Sequence, residues 1–153
     1  MTTIAHALSA SYIALNVAGV DPSQTSLLIA AVTAASVIDL DHLYYILRDH
    51  SIAKKGNLHK ARSIFHELIG FVVAGVLMLI CGLFNKQLAI VIGLSAMIHL
   101  AEDMLVGVSM PFSPFDKTEV KLLPQNMKLK IILDVLTIII FGVLWIKYLN
   151  ELV

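Results

Sequence analysis

Uncharged apolar runs alternate along the chain with short blocks of charge. Ile4 to Val20 holds no Asp, Glu, Lys or Arg, and its polar members are His6, Ser9, Ser11 and Asn16. Asp21-Pro22-Ser23 reads as a turn and a helix start, since Pro suits the first helical turn. The next run begins at Ser23, is uncharged to Ile38, and is expected to stay helical through Asp39, Asp41 and Tyr45 to about Leu47. Arg48 to Arg62 is polar, with Gly56 and Asn57 as breakers. Leu68 to Asn85 and Gln87 to Ala101 are two more apolar runs on either side of an Asn85-Lys86-Gln87 turn. Met104 to Phe115 is apolar but short and carries Gly107, Pro111 and Pro114, which fits an interfacial or re-entrant segment. Asp116 to Lys130 is polar, and Leu129 to Leu149 forms a last hydrophobic helix. No period-two alternation supports strands.

The pattern predicts an all-α, polytopic membrane helical bundle in one domain, residues 1–153. Its five spans are expected at 4–20, 23–47, 63–84, 87–106 and 129–149, each about the length that a hydrocarbon core of about 30 Å requires. Composition agrees: 58% of residues are hydrophobic and 14% charged, with a mean hydropathy of +0.86. Soluble domains carry about 25% charged residues. Eleven basic residues balance eleven acidic ones, so no basic field exists to hold nucleic acid. Cys81 is the only cysteine, which excludes a disulfide framework. Met1-Thr2-Thr3 offers no basic region of the kind a cleaved signal peptide needs.

Loop charge sets the expected orientation. With five spans the amino terminus, the 48–62 loop and the 107–128 segment share one side. That side carries Arg48, Lys54, Lys55, Lys60, Arg62, Lys117, Lys121 and Lys128. The opposite side has Lys86 and Lys147. The positive-inside rule then makes the protein a multi-pass inner-membrane protein with a cytoplasmic amino terminus. Trp145 and Tyr148 suit the far interface and Tyr44 and Tyr45 the near one.

Ionisable groups in or beside a span are costly and usually serve a function. Here they are His6, Asp39, Asp41, His42, His66, Glu67, His99, Glu102, Asp103 and Asp134. Apart from Asp134, which can pair with Lys130 four residues before it, they all fall at helix ends on the same expected side, where they can meet in one layer. His99 and Asp103 are four apart and Asp39 and His42 three apart, so each pair shares a helix face. Imidazoles and carboxylates from several helices suit Zn, Mn or Fe. Carboxylates at helix C-terminal ends also need a compensating cation, which a divalent ion, Arg48 or Arg62 can supply. His50 and His59 fall in the basic loop and read as surface residues.

The ordered set His6, Ile38-Asp39-Leu40-Asp41-His42, Arg62-Ser63-Ile64-Phe65-His66, His99-Leu100-Ala101-Glu102-Asp103 and Pro111-Phe112 resembles the inner-membrane proteins of bacteria and archaea classed as metal-dependent hydrolases. That family was once labelled a domain of unknown function, includes LexA-binding members, and is remotely similar to helical zinc phospholipases. The resemblance covers roughly residues 4–115, and DxDH followed by HxxxD is its most specific part. It implies that His6, Asp39, His42, His66, His99 and Asp103 form the metal-binding set, and Asp41 and Arg62 match further motif positions. Two positions depart from the family pattern: Ala61 replaces a His, and Glu67 replaces the Ser after the third-helix His.

These residues imply a membrane-bound hydrolase holding one or two divalent ions, zinc first and Mn or Fe otherwise. Its substrate would be a phosphoester or lipid headgroup at the cytoplasmic interface. In that reading Asp41 or Glu67 is the general base and Arg62 clamps a phosphate oxygen. Asp41 or Glu102 would orient a ligand imidazole. The same residues also allow a non-catalytic protein whose polar layer holds helices or a partner, and more weakly an ion transporter, though transporters usually place such groups at the midplane.

Overall fold

The computed structural model describes residues 2–40, 64–124 and 126–151, and among these every regular element is helical. Helix α1 runs Thr3–Val17, α2 Thr25–Val37, α3 Leu68–Gly82, α4 Lys86–Val106 and α5 Met127–Asn150, with a 3-10 turn at Ile64–His66 before α3. Local chemistry sets their ends. The Thr2 hydroxyl accepts from the Ala5 amide at the start of α1, and Gly19, at φ +60°, closes that helix in the left-handed region. Asp21 accepts from both the amide and the hydroxyl of Ser23 in the turn leading to α2, and these bonds hold its carboxyl below the usual range. Asn85 caps α4 by accepting from Leu88, and Asn126 accepts from Lys128 at the start of α5.

The number of spans needs correction. Among the described residues, only α4 and α5, with 21 and 24 residues, are long and apolar enough to cross a bilayer. Helices α1, α2 and α3 have 15, 13 and 15 residues. At 1.5 Å per residue they reach about 20–23 Å, short of a core of about 30 Å. The reasons are local. Gly19 stops α1, the chain turns at Ile38–Asp39 after α2, and the 3-10 turn and an extended Glu67 delay α3 to Leu68. Met104 to Val106 complete α4 instead of opening a separate segment. The chain then folds back, pairing Ser109 with Val120 and joining the Leu68 amide to the Pro111 carbonyl.

Helix α4 is central and packs on α1, α2 and α3, while α5 packs on α1. The interior is built from small residues: Ala5, Ser9, Ala10, Ala14, Ala31, Ala35, Ala74, Ala89 and Ser95 are all buried. Large aliphatic side chains face outward, including Leu79 at 75% and Phe84 at 86% exposure, and the apolar stretch of α5 has no buried residue. Small residues between helices and large apolar ones outside are the arrangement of a lipid-solvated bundle. Larger side chains enter the core away from the polar cluster, where Leu15, Val20, Leu27, Val91 and Tyr148 meet. Trp145 and Tyr148, expected at an interface, are also bound into this packing. The indole donates to the Leu8 carbonyl at 3.0 Å, and the Tyr148 hydroxyl to the Val20 carbonyl at 2.5 Å. Asp134 accepts from the Thr2 amide at 2.7 Å.

Candidate metal centre

Four side chains from three places in the chain converge at one end of the bundle. Asp39 comes from the turn after α2 and His66 from the 3-10 turn. His99 and Asp103 lie one turn apart on α4. One donor atom from each lies within 4.8 Å of those of the others, and all but the half-buried Asp39 are buried. Asp39 Oδ1 is 3.4 Å from His99 Nε2 and 3.8 Å from His66 Nε2. His66 Nε2 is 3.7 Å from Asp103 Oδ2. The group can hold a metal ion.

His99 provides the test of fit. Its Nδ1 donates to the Ala35 carbonyl at 2.5 Å, which turns Nε2 towards Asp39. Nε2 is buried and has no hydrogen-bond partner among the described residues. A divalent ion between Nε2 and the Asp39 carboxylate would satisfy both. An imidazole fixed through its other nitrogen by a backbone carbonyl is also the usual setting of a metal-bound histidine. Two nitrogens and two carboxylates fit zinc, manganese or iron. Asp103 lies in the last turn of α4 and Asp39 just past the end of α2, where helix dipoles add to the need for positive charge.

His6, expected as a ligand, lies against this group and is not one of its four donors. Its Nδ1 is 2.8 Å from Glu102 Oε2 and its Nε2 3.1 Å from Asp103 Oδ1, so both ring nitrogens donate to carboxylates. The ring also lies against that of His99, with centroids 4.1 Å apart. His6 therefore holds Asp103 in position and screens it from Glu102. Glu102, expected to orient a ligand imidazole, serves His6. Glu67 is buried at the start of α3 without capping it, and its Oε2 has no hydrogen-bond partner among the described residues. It lies outside the four-donor group. Asp41, His42 and Arg62 lie outside the described residues, as do His50, His59 and Ala61. The functional group missed in the sequence is the Ala35 carbonyl. Ala35 sits four residues before Asp39, on the helix face that leads to it, and that spacing is the signal that could have found it.

Searches among curated proteins and among solved structures returned no match. A family model described as YdjM inner membrane protein matches residues 1–152, and the chain belongs to that family of inner-membrane proteins.

Proposed function

We propose that this protein is a membrane-bound, metal-dependent hydrolase acting on a phosphoester or lipid headgroup at the cytoplasmic interface. The observation that carries the reading is His99, tethered through Nδ1 to a main-chain carbonyl with Nε2 turned towards Asp39. Asp39, His66, His99 and Asp103 hold one or two divalent ions, zinc first. A divalent ion there supplies Lewis acidity and lowers the pKa of a coordinated water towards about 7. His6 keeps Asp103 ionised and oriented. Family resemblance assigns His42 as a further ligand or its partner and Arg62 as the clamp on a phosphate oxygen. Asp41 or Glu67 takes the proton of the attacking water, and the buried position of Glu67 beside His66 in sequence favours it. The loop charges support a multi-pass arrangement with the amino terminus and the 48–62 loop in the cytoplasm.

Elemental analysis of detergent-purified protein tests this directly. Wild type is expected to carry one or two transition-metal ions per chain, and His99→Ala to lose most of that content. A well-folded wild type without metal, in buffers containing zinc, manganese and iron, overturns the reading. The ion pairs of His6 and His99 with Glu102, Asp103 and Asp39 support a second reading, a structural network without chemistry. In that case His99→Ala lowers the melting temperature while chelators leave wild type unchanged.

A further inference from the structure

Beside the four donors lies a cavity of about 300 Å³, at the lower end of the range for ligand pockets, with no polar residue in its lining. It runs between α2 and α3 against α4. Its near end is formed by the chain neighbours of three donors: Ile38 before Asp39, Phe65 before His66 and Leu100 after His99. Its far end reaches Leu77 on α3 and Ile92 on α4. From Leu100 to Ile92 is eight residues, about 12 Å along the helix axis. Because α4 is one of the two candidate spans, with Asp103 near its end and Ile92 nearer its middle, the cavity leads from the polar end of the bundle towards the hydrocarbon interior. Ala34 and Ala74 keep the slot open, since larger side chains there would fill it. Phe65 and Leu77 are half exposed at its rim, which makes the cavity accessible from the side.

A polar, cation-holding end joined to an apolar channel aligned with the bilayer matches a lipid: an anionic head over one hydrocarbon chain. We infer that the substrate is a membrane amphiphile with a phosphate head, and that the slot between α2 and α3 holds its alkyl chain while the head meets the donor cluster. The head-end assignment rests on the metal-centre reading; the slot does not.

The test uses the full chain in detergent with zinc and dodecyl phosphate bearing a diazirine at the terminal carbon. Photolysis is expected to label peptides of α3 and α4 around Leu77 and Ile92. Unlabelled dodecyl phosphate is expected to suppress labelling at a concentration at least tenfold lower than inorganic phosphate. Ala74→Phe should reduce labelling tenfold or more while metal content stays at the wild-type level. Labelling confined to the outer face of α5, or equal labelling by a dodecane diazirine without phosphate, overturns the inference using wild type alone. Full metal content with an unlabelled slot removes this inference and leaves the hydrolase reading standing. A metal-free protein whose slot still labels in a phosphate-dependent manner supports the slot and removes the hydrolase.

Discussion

Three histidines among the described residues face the aspartates, and two of them, His99 and His6, differ in what each ring nitrogen meets. His99 is anchored to the main chain through one nitrogen and presents the other to Asp39. His6 has both nitrogens engaged by Glu102 and Asp103. His99→Ala should therefore abolish stoichiometric metal binding. His6→Ala leaves the four donors present but Asp103 unsupported, and is expected to weaken metal affinity about 10–100-fold, the usual effect of losing a partner that orients a ligand. Competition with a colorimetric chelator distinguishes these outcomes; equal affinities for His6→Ala and wild type would show that the clamp is idle. At this scale the HxxxD spacing made the His99–Asp103 pair legible, because helical period alone puts both on one face. The split between ligand and clamp was not legible, because it depends on a carbonyl and on which helix crosses α4.

Helix boundaries here are set by caps and close contacts more than by hydropathy. A methyl group on Gly70 would stand 1.8 Å from the Phe65 carbonyl oxygen, which belongs to backbone and cannot move aside cheaply. At Gly93 the added atom meets Met78 Cβ at 2.6 Å and its Cγ and Sδ at 2.7 and 2.8 Å, so turning the thioether relieves part of a contact that is less close than the one at Gly70. Gly70→Ala is expected to destabilise by about 1–3 kcal/mol, in the range of overpacked sites, and Gly93→Ala by clearly less. Thermal unfolding in detergent ranks the two, and a reversed order would place the tighter contact elsewhere. Asn85→Ala removes the cap of α4 and should cost about 1 kcal/mol. Each of the five helices was visible as a predominantly apolar run. The lengths of α4 and α5 were legible to within two residues, and those of α1 and α3 were not, because apolar residues continue through Ala18-Gly19-Val20 after α1 has ended and through Ile64-Phe65 before α3 begins.

For the molecule as a whole, a bound ion and the fold are linked. An ion that binds only the native state raises stability by about 2.7 kcal/mol at a hundredfold excess over its dissociation constant. Chelation should accordingly lower the melting temperature of wild type by several degrees and leave His99→Ala unaffected. A drop in both proteins would point to a chelator effect unrelated to the cluster. Composition pointed to lipid as the solvent, in keeping with the inner-membrane family match, and the gathering of the donors at one end followed from helix order. That α5 stands outside the cluster agrees with the sequence, which put no candidate ligand in the last helix. None of the four donors comes from α5, which is joined to α1 by hydrogen bonds near both of its ends. Its 24 residues span about 36 Å, more than the hydrocarbon thickness, and tilting is one way to relieve that mismatch. A change of membrane thickness acting on α5 would reach its neighbour α1, and His6, on α1, contacts Asp103.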